Sequence, residues 1–195
     1  MIIGITGGTG SGKTTLLELI GEKGGTVLDC DRIYHRLLET DQALLAAIEA
    51  RFPGTVEQGR LLRKKLGSIV FQDTEALEAL NRITHSAVRQ EVLRLLKPAP
   101  VVAAIDAIGL FESGLDQLCD VTVAVIAPTE QRVQRLMERE GISREYALAR
   151  IAAQPDGEKF ERRCEHTLVN DGTKQEFQEK CQAFLKEQVR FPDIL

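Results

Sequence analysis

Ile2-Ile3-Gly4-Ile5-Thr6-Gly7-Gly8-Thr9-Gly10-Ser11-Gly12-Lys13-Thr14-Thr15 is an apolar strand that runs directly into a glycine-rich turn and then into a helix. The spacing Gly7, four residues, Gly12-Lys13-Thr14 fits a phosphate-binding loop, in which consecutive backbone N–H groups surround phosphate oxygens at a helix N-terminus. Each residue type has a physical reason to be there. Glycines put no Cβ between backbone and phosphate, Lys13 has the reach for the β- and γ-phosphates, and the Thr14 hydroxyl is a ligand for Mg²⁺. A flexible turn would need neither the strand before it nor the helix after it, and that context favours the phosphate reading. Gly7, Gly8, Thr9, Gly10, Ser11, Gly12, Lys13, Thr14 and Thr15 are therefore the candidate ATP-binding residues.

Working outward, 195 residues with 43% hydrophobic content are enough to bury one full core, and 28% charged residues suit a soluble domain. Twenty-five basic against 29 acidic residues leave a formal charge of −4, which argues against broad nucleic-acid binding while leaving room for a local anion pocket. Cys30, Cys119, Cys164 and Cys181 are widely spaced and form no C-x-x-C pair, so neither a zinc site nor a disulfide framework is expected. No apolar run approaches the length of a membrane span and the N-terminus enters a strand at once, so the expectation is a mature cytoplasmic protein without membrane partners.

After Lys13, Leu16, Leu17 and Ile20 recur at helical spacing until Gly21, Gly24 and Gly25. Thr26-Val27-Leu28-Asp29 reads as a second strand, and Asp29-Cys30-Asp31 sets two carboxylates at its C-terminal end, the edge where open α/β sheets bind ligands. One of the two suits an N-cap for a helix beginning near Arg32. Residues two apart on a strand face the same side, so spacing does not choose between them. Residues 32–97 carry amphipathic stretches without a convincing strand, too long for an ordinary connection, and are expected to form a helical substrate-facing insertion. Within it Arg60-Leu61-Leu62-Arg63-Lys64-Lys65 reads as a solvated helix face, and His85 as a structural residue in a helix.

Val101-Val102-Ala103-Ala104-Ile105-Asp106 has the pattern of a buried parallel strand that delivers an acid to the binding edge, making Asp106 a second candidate for Mg²⁺. Asp106-Ala107-Ile108-Gly109 spells D-x-x-G, but no N-K-x-D follows, which disfavours a GTPase. Val121–Ile126 is a further strand, stopped by Pro128, and the stretch after it holds Arg132, Arg135, Arg139, Arg144 and Arg150 around a turn at Glu140-Gly141-Ile142-Ser143. Most charge runs are solvated faces, yet a mobile Arg-bearing segment also suits a lid over phosphates. Thr167–Asn170 and a polar C-terminal helix complete a count of five strands. The expected fold is a three-layer α/β P-loop NTPase fold with a five-stranded parallel sheet, in one domain over residues 1–195, the helical subdomain at about 32–97 and the lid at about 130–157.

Taken as an ordered set, these motifs resemble the dephospho-CoA kinase family. The carriers are the loop itself, Asp29-Cys30-Asp31, Arg63-Lys64-Lys65-Leu66-Gly67-Ser68-Ile69-Val70-Phe71, Leu80-Asn81-Arg82-Ile83-Thr84-His85, Leu110-Phe111-Glu112-Ser113-Gly114-Leu115, and Ile142-Ser143-Arg144-Glu145 through Arg150-Ile151-Ala152-Ala153-Gln154. The chain departs from the family pattern at Ser86, where a proline usually follows the histidine, at Ile108-Gly109, where Pro-Leu is usual, and at Pro155-Asp156-Gly157. The resemblance implies a nucleoside-monophosphate-kinase-like fold and transfer of phosphoryl from ATP, with Mg²⁺, to the ribose 3′-hydroxyl of dephospho-CoA, by a monomer. It further implies Asp31 as proton acceptor, Lys13 and Arg139 as phosphate-neutralising cations, Thr14 and Asp106 at the metal, and Asp31, Arg63 and His85 at the substrate. Two rivals share parts of the pattern: another small-molecule P-loop kinase, and a regulatory ATP-binding protein.

Overall fold

The computed structural model describes residues 1–191. Its main sheet is built from β1 (Ile2–Thr6), β2 (Thr26–Asp29), β5 (Ala103–Asp106), β6 (Val121–Ile126) and β7 (His166–Val169), while β3 (Val56–Glu57) and β4 (Arg60–Leu61) form a separate hairpin. The helices are α1 (Lys13–Glu22), α2 (Cys30–Thr40), α3 (Gln42–Arg51), α4 (Arg63–Val70), α5 (Thr74–Leu96), α6 (Thr129–Glu140), α7 (Arg144–Ala152), α8 (Gly157–Glu161) and α9 (Lys174–Gln188), with a short 3₁₀ turn at Leu115–Leu118.

The five strands lie in the order β2-β5-β1-β6-β7. Both neighbours of the central β1 run parallel to it, Ile3 opposite Ala104 and Val121, and β7 continues the parallel pairing on β6. Strands covered on both faces read as continuous apolar runs rather than alternating ones, and β5 and β6 do so. On one face Ile3, Ile5, Val121, Val123 and Val125 pack with Leu16, Leu19 and Ile20 of α1 and Phe177, Cys181, Phe184 and Leu185 of α9. On the other, Gly4 lies so close to the segment after β5 that a Cβ there would meet Cys119 Sγ at 2.7 Å and Leu110 Cδ2 at 2.9 Å. Glycine at position 4 is thus a requirement of layer spacing, whereas the loop glycines answer to other demands.

The chain divides into two compact units, one formed by Met1–Leu28 with the chain from Ala99 onward, the other by Asp29–Pro98. Within the second unit α2 and α3 pack on the long α5, and an ion pair from Arg36 to Glu91, 2.6 Å, ties α2 to α5. The unit also holds strand structure that the sequence pattern did not predict. Gln58 and Gly59, at φ 49° and 73°, turn the chain between β3 and β4 in the left-handed pair of conformations that a two-residue hairpin demands. Strands of two residues are too short to show a periodicity, which is why residues 56–61 look helical or featureless in sequence. Arg60 and Leu61 therefore belong to β4, and the helix face begins only at Arg63.

Candidate active site

Everything that shapes the phosphate loop belongs to the first unit. β1 ends at Thr6 and α1 starts at Lys13, so Gly7–Gly12 must reverse direction in six residues. Gly7 (φ 140°) and Gly12 (φ 106°) adopt backbone conformations closed to side-chain-bearing residues, and a Cβ would strike the Val125 carbonyl oxygen at 2.1 Å in one case and Asn170 Nδ2 at 2.2 Å in the other. The motif glycines are thus fixed by steric contact with β6 and with the end of β7.

Lys13 curls over the loop. Its Nζ donates to the Gly7 carbonyl at 2.9 Å and stands 3.9 Å from Asp106 Oδ1, with both side chains largely buried. Asp106 arrives there because β5 pairs with β1 in the register that sets Asp106 opposite Ile5, two residues before Gly7 opens the loop. Thr14, on the first turn of α1, is exposed. A threonine hydroxyl and a carboxylate are the hard oxygen donors that a divalent cation takes alongside phosphate oxygens, so Thr14 and Asp106 fit the metal that accompanies a nucleoside triphosphate. Among the described residues no group of three or more His, Cys, Asp or Glu is arranged to hold a metal by itself.

The other sequence candidates take distinct positions. Asp29 closes β2 and caps α2, accepting from the Arg32 backbone N–H at 3.0 Å, while Asp31 lies in the first turn of α2 and is exposed. The two acids therefore do not share a strand face, because the chain turns helical at Cys30; the strand-spacing argument is corrected by this change of secondary structure. Arg63 is the exposed first residue of α4 and acts electrostatically on Tyr34, which lies one helical turn beyond Asp31. Burial raises the Tyr34 hydroxyl pKa and Arg63 opposes the rise. His85 is half-buried on α5. Arg139, at the end of α6, is exposed and pairs with Glu140, which also pairs with Arg150 of α7.

Four residues that sequence reasoning did not single out for this role complete the loop. Gln154, just after α7, accepts the Thr9 backbone N–H at 2.8 Å. Arg132, six per cent exposed, donates from Nε to the Thr9 carbonyl at 2.8 Å and from a terminal nitrogen to Gln154 at 3.3 Å. Arg135 donates to the carbonyls of Gly10 (3.2 Å) and Ser11 (3.4 Å), and Asn170 Nδ2 donates to Ser11 O at 2.8 Å. Arg132 and Arg135 read as lid or surface arginines in sequence, since α6 is polar overall. Only their packing against the loop separates them from Arg139.

A strand-loop-helix with its carbonyls tied from one side and a lysine-carboxylate pair at its mouth is the geometry of a phosphoryl-transfer site. The dephospho-CoA kinase family model matches residues 1–176. The chain belongs to the dephospho-CoA kinase family. A dephospho-CoA kinase of Thermus thermophilus is 39% identical over 189 residues, covering 96% of this chain and 91% of the relative. A solved Thermus thermophilus structure superposes with a TM-score of 0.80 at 37% identity, covering 97% of this chain and 98% of the other. A Campylobacter jejuni dephospho-CoA kinase does so with a TM-score of 0.65 at 26% identity, covering 95% and 96%. The fold is that of the P-loop kinases, and the family reaction is the ATP-dependent phosphorylation of dephospho-CoA in coenzyme A synthesis. Such kinases use ATP with a divalent cation. No helix among the described residues is long and apolar enough to cross a membrane.

Proposed function

We propose that this dephospho-CoA kinase carries out its reaction with the triphosphate of ATP on residues 7–15 and the ribose 3′-hydroxyl of dephospho-CoA as acceptor, Asp31 taking the hydroxyl proton. The observation that carries the reading is the tethering of three consecutive carbonyls, Thr9, Gly10 and Ser11, by Arg132, Arg135 and Asn170. In a trans peptide the C=O of one residue and the N–H of the next point in opposite directions, so tying those carbonyls on one side aims the Gly10 and Gly12 amides to the other.

The residues divide the work as follows. The loop amides hold the phosphates, and Lys13 exchanges its Gly7 carbonyl and Asp106 partners for phosphate oxygens of higher negative charge. Thr14 and Asp106 would hold Mg²⁺, which would supply positive charge against the phosphoryl groups of the triphosphate. Asp31 carries the proton away as the 3′-oxygen attacks the γ-phosphorus; the bond between O3′ and the γ-phosphorus forms, and the bond from the γ-phosphorus to the β,γ-bridging oxygen breaks, so that oxygen leaves with ADP. Arg63 and His85 contact the acceptor from the helical unit, residues 32–97, and Arg139 adds positive charge from the lid at 130–157. The enzyme acts as a cytoplasmic monomer on its two small-molecule substrates, with no nucleic-acid or membrane partner.

The test is ADP release in proportion to dephospho-CoA consumed, with Mg²⁺ supplied, and product phosphate located at the 3′-position. Turnover with adenosine, uridine or a sugar alcohol but not with dephospho-CoA would favour a different acceptor. Sedimentation at working concentration checks the monomer.

A further inference from the structure

Among the described residues Arg132 is an internal cation without an acidic partner. Its side chain is nearly sequestered from solvent, its hydrogen bonds go to a backbone carbonyl and a side-chain amide, and burial alone pulls its pKa below the usual guanidinium value, with no neighbouring carboxylate opposing. Such a charge is costly to bury unless something negative compensates it. The guanidinium packs against Gly8, so close that a Cβ on Gly8 would meet a terminal nitrogen at 2.2 Å and the central carbon at 2.7 Å, and a Cβ on Gly10 would meet the Arg132 backbone oxygen at 2.9 Å. Arg135, one turn on, likewise bonds only carbonyl and amide oxygens: Gly10, Ser11, Gln131 and Asn170. The rear of the loop therefore carries positive charge that no carboxylate among the described residues neutralises.

We propose that Arg132 is a positioning residue for the phosphoryl donor, fixing the Thr9–Gly10 peptide through the Thr9 carbonyl and supplying, through the loop, a buried positive charge that the nucleotide β-phosphate compensates. It touches backbone rather than ligand, and it differs in this from Lys13. The charge acts across one layer of peptide in a water-poor setting, where screening is weak. The same bonds root both arms of the α6–α7 hairpin in the loop. Arg132 sits near the start of α6 and Gln154 just past α7, the two helices being held together by Val133, Leu136, Ala147 and Ile151. The inference rests on residues 7–15 being the nucleotide site, and its test separates the two.

Arg132→Gln keeps a donor for the Thr9 carbonyl but removes the charge; Arg132→Lys keeps the charge on a different frame. ADP and AMP are titrated calorimetrically into the full-length wild type and both variants, and the ligand-free melting temperature is recorded. AMP serves because it lacks the β-phosphate. Arg132→Gln is expected to weaken ADP binding about 10-fold or more, the scale of one lost charge-assisted interaction. AMP binding should move by no more than about twofold, ADP affinity should largely return with lysine, and the ligand-free melting temperature should not fall, because a buried unpaired charge has gone. Equal losses for ADP and AMP, unchanged ADP affinity, or a lower melting temperature with no ADP effect would each reduce Arg132 to a structural wedge and overturn the proposal. Failure of lysine to recover affinity lost by the glutamine variant would overturn the charge-based account as well. Hydrogen exchange on the wild type gives the separate control: if ADP does not protect the amides of residues 7–15, the nucleotide site itself is elsewhere.

Discussion

Lys13 Nζ stands 3.9 Å from the Asp106 carboxylate and 2.9 Å from the Gly7 carbonyl, so the loop lysine is held at the mouth of the loop by the strand beside it. A cation held there by protein acceptors is preorganised for charge that develops on a transferring phosphoryl group. Lys13→Ala should lower turnover by on the order of 100-fold or more while leaving the fold intact. Steady-state rates on a variant with wild-type circular dichroism check this, and near-normal turnover would remove the loop from the chemistry.

Asp29 and Asp31 should separate cleanly. Asp29 accepts from the Arg32 N–H as the cap of α2, and asparagine caps equally well, so Asp29→Asn should be mild while Asp29→Ala should cost about 1 kcal/mol of stability. Asp31→Asn should fold and bind both substrates yet lose about 10²–10⁴-fold in kcat, the usual worth of a general base. Equal losses in the two asparagine variants would contradict Asp31 as the acceptor.

Arg139 is exposed and paired with Glu140, unlike Arg132. A lid cation that reaches the phosphoryl group only on closure should affect kcat more than KM, so Arg139→Ala is expected to reduce kcat with KM for ATP nearly unchanged. A change confined to KM would make it an ordinary binding contact.

Gly7→Ala tests the steric argument for the loop. With φ at 140° and the Val125 carbonyl 2.1 Å from the new Cβ, either the loop or β6 must shift. Nucleotide binding should be lost, and the melting temperature should fall even without ligand. Wild-type ADP affinity in this variant would show that the loop tolerates displacement from β6.

In the helical unit, Glu49 accepts the backbone N–H groups of Gly54 at 2.5 Å and Val56 at 2.7 Å. These two bonds, Gly54 first and then Val56, hold its carboxyl below the ordinary value of 4.5. A carboxyl lowered in the folded state stabilises it at pH values above the unfolded pKa, and that contribution disappears as pH falls through the folded pKa. The stability difference between wild type and Glu49→Gln, measured by urea unfolding, should therefore be largest near neutrality and shrink in acid. A difference independent of pH would assign the effect to packing instead of ionisation.

The phosphate loop, the parallel sheet and the family were legible in the chain because they depend on local order: an apolar run, glycines at fixed offsets, a lysine after the last of them. Asp106 was legible too, since a buried strand ending in an acid states where that acid goes. Asp29 and Asp31 were not separable in sequence, because which of them capped a helix depended on where extended backbone became helical, a boundary set by one residue. The β3–β4 hairpin was hidden by its shortness. Arg132 and Gln154 lie 123 and 145 residues from Thr9, and their part in the loop exists only because β6 pairs with β1 and brings the start of α6 beneath it. An arginine on a polar helix carries the same local pattern whether it faces water or the underside of a peptide; burial and partners are properties of the tertiary structure, and only that structure distinguished Arg132 from Arg139.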